Sequence, residues 1–411
     1  MARSGLIAGL DVGTTKVSCF VARLDGQSVR VVGIGHQVAR GLRAGAIVDM
    51  DAVEESIRAA VDAAERMAGE TVRDAFVNLT GGFPASHTVG VEVSIAGHAV
   101  EDTDLRRVLD HARARQEPGE RDVVHAIPVG FTIDGSNGIR EPRGMYGERL
   151  GVNMHVVTAA SGPMRNLSVC VERCHLNIAG LVVSQYASGL ACLVEDETDL
   201  GVTLVDMGGG TTKIAVFYDG AMIHSDAVPI GGGHVTNDIA RGLSAPLSHA
   251  ERLKTLYGSA LPTPSDEGEM ITVPQVGETD EEAVSHVPRS ILVGIIKPRL
   301  EETFELVRDR LSSSGVEKLA GRRVVLTGGA SQLQGVRDLA ARVLDKQVRI
   351  GRPIRLQGLA ESTAGPAFAT CAGLLFYASR DWTEVIDPEP EIETDIPGRL
   401  ARIGKWLREN F

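Results

Sequence analysis

A chain of 411 residues is long enough for two or three domains with substantial cores, and 43% hydrophobic with 23% charged residues is an ordinary soluble globular composition. A formal net charge of −12 excludes nucleic acid as the main partner, because phosphate binding needs a basic face. Five cysteines spread through apolar segments suggest a reduced cytoplasmic protein, and with no signal-like start and no apolar run near the ~18–20 residues of a membrane span, the chain is not expected to cross a membrane.

In chain order, Leu6–Asp11 and Lys16–Leu24 read as paired strands and Val29–Gln37 as a third. Asp51–Ala68 has helical apolar spacing, with Asp49 or Asp51 as cap, and Ala75–Thr80 reads as a buried strand closed by Gly81-Gly82. From Phe83 to about Met164 the character changes. Alternating stretches at 87–95, 123–133 and 153–160 flank one charged helix, Asp102–Arg115, as a compact α+β insert between two α/β pieces. Arg165–Cys174 then reads as a helix, Ile178–Ser184 as a buried strand and Ser188–Glu195 as a helix. Cys170, Cys174 and His175 have the residue types of a metal site but no second ligand pair, so helix packing is the simpler reading. The Pro-, Gly- and acid-rich Pro262–Pro288 reads as a hairpin or loop. Ile291–Leu311 reads as a long helix that Pro298 must cap or kink, and Val324–Leu326 as a strand. Asp381–Pro397, with seven acidic residues and three prolines, reads as an extended linker.

One turn is written twice. LDVGTTKVSCF (Leu10–Phe20) and VDMGGGTTKIAVF (Val205–Phe217) both run strand, Asp, Gly/Thr turn, Lys, strand. Inward backbone N–H groups and hydroxyls in such a turn suit phosphate oxygens, and glycine permits close approach. Asp11 and Asp206, ending the first strand of each copy, would repel phosphates unless a hard cation such as Mg²⁺ lay between them. A single Gly-Thr turn is commonplace in hairpins. Two copies, with Thr327-Gly328-Gly329-Ala330 after a later strand, read as a clamp on one polyphosphate.

This constellation resembles the actin-like ATPase superfamily of actin, Hsp70 chaperones and sugar kinases. The resemblance implies an α/β fold of two related halves around a nucleotide cleft, with ATP and Mg²⁺ as cofactors. It implies a first phosphate turn of Asp11, Gly13, Thr14, Thr15 and Lys16 and a second of Asp206, Gly208, Gly209, Gly210, Thr211, Thr212 and Lys213. Gly232, Gly233 and Asn237 would follow it, with Gly328, Gly329 and Ala330 bordering the adenosine. Glu251 and Lys254, one helical turn apart, would lie on the adenine side, and Asp11 and Asp206 would hold Mg²⁺ through water. Gln185 stands nearest the place where hydrolases of this superfamily position water.

Within the superfamily the stretches RGLRAGAIVDMDAVEESIRAAVDAAE, VVHAIPVGFTID, GGGHVTNDIA, VVLTGGASQLQGV and GRLARIGKWLRENF resemble the FtsA family of bacterial cell division. That resemblance implies subdomain 1A at 1–83 and 164–200, an inserted 1C at 84–163, 2A at 201–241 and 315–380, and 2B at 242–314. An acidic linker at 381–397 and an amphipathic helix at 398–411 would follow. On a helical projection Leu400, Ile403, Leu407 and Phe411 share one face with Trp406 at its edge, while Arg399, Arg402, Lys405 and Arg408 surround it. That pattern suits an interfacial helix on anionic lipid. The family resemblance further implies the FtsZ C-terminal peptide, actin-like self-assembly and later division proteins as partners, with weak or no ATPase activity, at the inner membrane's cytoplasmic face. Arg289, Lys297 and Arg299 are candidates to meet the FtsZ peptide. The alternatives are a pilus-assembly relative and a small-molecule kinase of the same fold; the tail speaks against both.

Overall fold

The computed structural model describes residues 5–25, 28–114, 120–277 and 284–379. The first half starts with an antiparallel meander, β1 (Gly5–Val12), β2 (Lys16–Asp25) and β3 (Ser28–Val38). A two-residue ladder of β4 (Leu42–Arg43) and β5 (Ala46–Ile47) leads to α1 (Met50–Ala68). Asp49 caps α1 by accepting the Ala52 N–H, and Gly69 closes it in the left-handed conformation. β6 (Asp74–Leu79) then joins β1 in parallel.

The chain next leaves this sheet for the insert, which comprises β7 (Ala85–Ser94), α2 (Asp102–Ala114), β8 (Arg121–Ile133), β9 (Ser136–Ile139) and β10 (Arg149–Ala160). Its sheet, in the order β7-β10-β8-β9, has its own core of Val91, Ile95, Leu105, Val108, Leu150, Val152 and Met154. The return passes through α3 (Ser161–Arg173) to β11 (Asn177–Val183), which completes the first sheet as β11-β6-β1-β2-β3. Two short helices, α4 (Ser184–Cys192) and α5 (Glu195–Leu200), then cross to the second half.

There the design repeats. β12 (Val202–Met207), β13 (Thr212–Tyr218) and β14 (Ala221–Val228) form the second meander. α6 (Gly232–Leu243), α7 (Leu247–Tyr257), the hairpin β15 (Met270–Pro274) and β16 (Val284–Pro288), and α8 (Arg289–Ser313) build a side body. β17 (Arg323–Thr327), α9 (Val336–Leu344) and β18 (Gln347–Ile350) return to give a sheet of order β14-β13-β12-β17-β18. Strand for strand this matches the first sheet: an antiparallel meander followed by two parallel additions. All six residues of β12 are buried, as expected of a central strand covered on both faces.

α10 (Ala369–Ser379) ends the described chain. With α4 it forms the contact between the halves. The helices are built from small residues, SQYASGLAC and ATCAGLLFYAS, and nearly every position is buried. A Cβ at Gly373 would stand 1.7 Å from the Ala187 carbonyl oxygen, so the two backbones touch there. The insert reaches both halves as well. His125 accepts the Val183 N–H, Ser86 Oγ bonds to the backbone N–H and carbonyl of Ser225 in β14, and Arg140 pairs with Asp219.

One expectation changes. The helix expected at Ser188–Glu195 begins four residues earlier, at Ser184; buried on all sides, it has neither an apolar stripe nor a side-chain cap to mark its start. α8 continues through Pro298, so the proline does not cap it, and the helix is held down by Leu292, Ile296, Leu300, Phe304 and Val307. Cys170 and Cys174 are free thiols packed against α1, with burial raising both pKa values.

The α4–α10 contact gives a test with competing terms. Helix propensity alone favours alanine over glycine by about 1 kcal/mol. The Gly373→Ala methyl must nonetheless push two backbones apart, and overpacking costs about 1–3 kcal/mol or more. Gly373→Ala should therefore lower the urea midpoint; an unchanged or raised midpoint would count against this packing. His155 gives a second. It is buried, neither ring nitrogen has a hydrogen-bond partner among the described residues, and burial, with His224, His125 and His87 nearby, pushes its pKa down to about 3. The unfolded chain takes up a proton near pH 6.5 that the folded chain refuses, so this residue's contribution falls by about 1.4 kcal/mol per pH unit below that point. His155→Leu should flatten the loss of stability between neutral pH and pH ~4.5. Identical pH slopes for the two proteins would show that His155 is not held neutral.

Candidate functional site

The β1–β2 and β12–β13 turns face each other. A Cβ at Gly209 would lie 2.3 Å from Thr15 Cγ2, so the second turn can approach the first only as bare backbone. Between them and the side body lies a cleft of about 540 Å³. From the first turn it takes Asp11, Gly13, Thr14, Thr15 and Lys16; from the second, Asp206, Gly208, Gly209, Gly210, Thr211 and Lys213. The start of α6 adds Gly232 and Gly233, α7 adds Glu251 and Lys254, and the turn after β17 adds Gly328, Gly329 and Ala330. Residues separated by more than three hundred positions thus line one cavity.

The carboxylates sit at its floor, each half-engaged. Asp11 Oδ1 accepts Asn78 Nδ2 at 2.7 Å, while Asn78 Oδ1 takes the Val12 N–H at 2.6 Å. Asp206 Oδ2 accepts Ser188 Oγ at 2.9 Å and Thr370 Oγ1 at 3.3 Å. The two lysines have different settings. Lys16 donates to the Ala367 carbonyl and stands 4.0 Å from the centroid of the Phe368 ring. Lys213, 6% exposed, donates to Ser184 Oγ at 2.7 Å. Burial raises the Asp11 pKa, opposed by Lys16 and Lys213, and burial lowers that of Lys213, opposed by Asp206 and Asp11.

At the far end Lys254 Nζ ties α7 to α6, donating to Glu251 Oε2 at 2.6 Å, Thr236 Oγ1 at 2.8 Å and the Gly232 carbonyl at 3.2 Å. The pair expected from spacing alone is therefore a fixed wall of the cleft.

Three expected residues lie elsewhere. Thr212 points away and donates to the Ile230 carbonyl at 2.7 Å, because residues alternate sides along β13. Asn237 is exposed on α6 and outside the cleft lining. Gln185, in the first turn of α4 and not at a strand end, is fully buried and donates to Ser225 Oγ at 2.6 Å, away from the cleft. The three cations proposed for a peptide partner are engaged within the chain. Arg289 bonds Asp266 at 2.8 Å, Arg299 bonds Asp238 and Glu302 at 2.5 Å, and Lys297 pairs with Glu301 at 3.4 Å. Leu400, Ile403, Lys405, Trp406, Leu407, Arg408 and Phe411 lie outside the described residues.

Sequence reasoning missed Thr80, Ser184, Ala367 and Thr370, which also line the cleft, along with Leu256, Leu300 and Leu333 toward its apolar end. Ser184 and Thr370 stand at the starts of the two buried helices, where no repeated pattern marks them.

The family model described as "Cell division protein FtsA" matches residues 203–373, and that of the "SHS2 domain inserted in FTSA" matches 81–158. The chain is similar to the cell division protein FtsA of Rhizobium meliloti, with 46% identity covering 100% of this chain and 96% of that one. It is similar to those of Pseudomonas aeruginosa, 39% identical over 99% and 98%, and Escherichia coli K12, 33% identical over 99% and 98%. Among solved structures, a PilM-PilN type IV pilus biogenesis complex aligns with a TM-score of 0.63 at 17% identity, covering 91% of this chain and 98% of that one. MreB 5 of Spiroplasma citri bound to AMPPNP aligns with a TM-score of 0.53 at 13% identity, covering 91% and 96%. These likenesses give the actin-like fold, with an α+β insert in its first half. By full-length identity to these relatives, the chain belongs to the FtsA family of cell division proteins.

Proposed function

We propose that this chain binds ATP in the cleft, assembles as an actin-like filament on the cytoplasmic face of the inner membrane at the division site, tethers FtsZ polymers there and recruits later division proteins. The observation that carries the reading is the meeting of two equivalent Gly/Thr turns, each with one carboxylate and one lysine, around a single cavity. Gly13, Thr14 and Thr15 on one side and Gly208, Gly209, Gly210 and Thr211 on the other would present backbone N–H groups and hydroxyls to the phosphates. Gly328, Gly329, Ala330, Glu251 and Lys254 would border the nucleoside. The nucleotide-bound MreB 5 relative has the same fold and supports the assignment.

The donors fit Mg²⁺. Asp11 and Asp206 each spend one oxygen on protein partners and keep the other, which suits a hard cation held through water. Among the described residues no three His, Cys, Asp or Glu side chains gather to hold a metal directly. Bound there, the ion would offset phosphate charge. With Gln185 turned toward Ser225, no side chain at that position aims at an attacking water, in keeping with weak or no ATPase activity.

The subdomain bounds given above and the tail belong to the same proposal. No helix among the described residues is long and apolar enough to cross a membrane. Membrane attachment would instead rest on Leu400, Ile403, Trp406, Leu407 and Phe411. Each large side chain buried at the lipid interface contributes on the order of 1–2 kcal/mol, and each of Arg399, Arg402, Lys405 and Arg408 up to ~1 kcal/mol on anionic lipid. A monomer would bind reversibly, and a filament carrying many tails firmly.

Gly209→Val, which would force a side chain between the two facing turns, should abolish ATP binding in calorimetry while unfolding stays cooperative; undiminished affinity would sink the cleft assignment. Trp406→Glu should release the protein from anionic liposomes in co-sedimentation and leave ATP affinity unchanged. Wild-type protein that stays in the supernatant under filament-forming conditions would end the tether reading.

A further inference from the structure

The cleft holds paired carboxylates, which would ordinarily make a divalent ion obligatory for polyphosphate binding. It also holds an ammonium group in an unusual position. Lys213, from β13, is buried beneath the second turn with Asp206 and Asp11 as the nearby charges. Among the described residues it forms no ion pair within 4.0 Å with either carboxylate, and Ser184 Oγ is the hydrogen-bond acceptor it uses, at 2.7 Å. An ammonium group has three N–H donors, so two remain to be spent inside the cavity. Lys16, its counterpart in the first turn, is instead committed to the Ala367 carbonyl and the Phe368 ring. The duplication has therefore produced lysines in two settings: Lys16 is braced by a carbonyl and an aromatic ring, and Lys213 is buried with one hydrogen bond and two donors unspent.

Charge balance gives this its consequence. Asp11 and Asp206 alone would set two negative charges at the floor against a ligand that is itself multiply negative. Lys16 and Lys213 bring the formal sum of the four groups to zero. Without Lys213 the floor is net negative, and an added cation must supply the difference. In a buried site such a charge acts over several ångströms with little screening.

We propose that Lys213 is a built-in counter-cation and phosphate ligand that allows this cleft to bind nucleotide without a divalent metal. The inference rests on the nucleotide reading of the cleft and concerns what its binding requires. Mg²⁺ still has donors there and adds to affinity, but binding does not require it.

The test is ATP binding to the full-length protein by calorimetry, in Mg²⁺ and in excess EDTA. For the wild type, chelation should weaken Kd by less than about tenfold. For Lys213→Met the same chelation should cost more than about tenfold, because the floor then has no cation of its own. Lys213→Gln, which keeps a donor for Ser184 but no charge, should behave like Lys213→Met and covers the case in which the methionine variant fails to fold. Wild-type binding that collapses in EDTA, or a charge-free variant no more metal-dependent than the wild type, overturns the proposal while leaving the nucleotide cleft in place. ATP that fails to bind the wild type in either buffer overturns both.

Discussion

The molecule depends on one close approach, the meeting of α4 and α10 at Ala187 and Gly373. Each helix belongs to the connection between the two sheets, and each is made of side chains small enough for the backbones to touch. The starts of these helices carry Ser184 and Thr370, and Ser188 lies one turn further along α4; all three hydroxyls point to the cleft floor. The spacing of the two helices therefore sets the distance between the turns, and with it the position of Asp206 relative to Asp11. Larger side chains at the crossing would separate the turns as well as the helices. Small residues, which contribute little apolar burial of their own, are required here by geometry.

The cleft is also a place where burial and charge oppose each other. Asp11, Asp206 and Lys213 are each less than a tenth exposed, and a buried charge without compensation is costly. The solution is a lattice of neutral partners: Asn78, Ser184, Ser188 and Thr370 each occupy one lone pair or donor. What remains unspent on the charged groups points into the cavity. A floor that is stable when empty and still has bonding capacity is suited to a ligand that arrives with charge of its own.

Much of this was legible in the sequence, because duplication is a pattern that single residues cannot imitate. The two turns, the late Gly-Gly element and the change of character at the insert all carried enough repeated or contrasting information to be placed. The departures have separate causes. α4 and α10 are buried on every side, so they have no apolar stripe, and their polar residues look like breaks in a pattern when they are in fact floor contacts. Gln185 follows close on a strand in sequence, but the strand stops two residues earlier and the helix turns the amide toward Ser225. Thr212 reads in sequence as part of a turn, although strand alternation sends it to the opposite face from Lys213. Arg289 and Arg299 read as available because Asp266 and Asp238 lie far from them in sequence, whereas the Lys297–Glu301 pair, four residues apart on one helix, is readable from spacing.

Because the lining of the cleft is divided between the halves, any ligand held there is a non-covalent crosslink. Its binding free energy is added to the free energy that keeps the two sheets together, and at a hundred times its Kd this amounts to about 2.7 kcal/mol. That is about a fifth to a half of the roughly 5–15 kcal/mol that separates a folded domain from its unfolded chain. For a chain with this arrangement, heat resistance rises with cleft occupancy, and the supply of ligand in its surroundings acts as a thermostat on the fold.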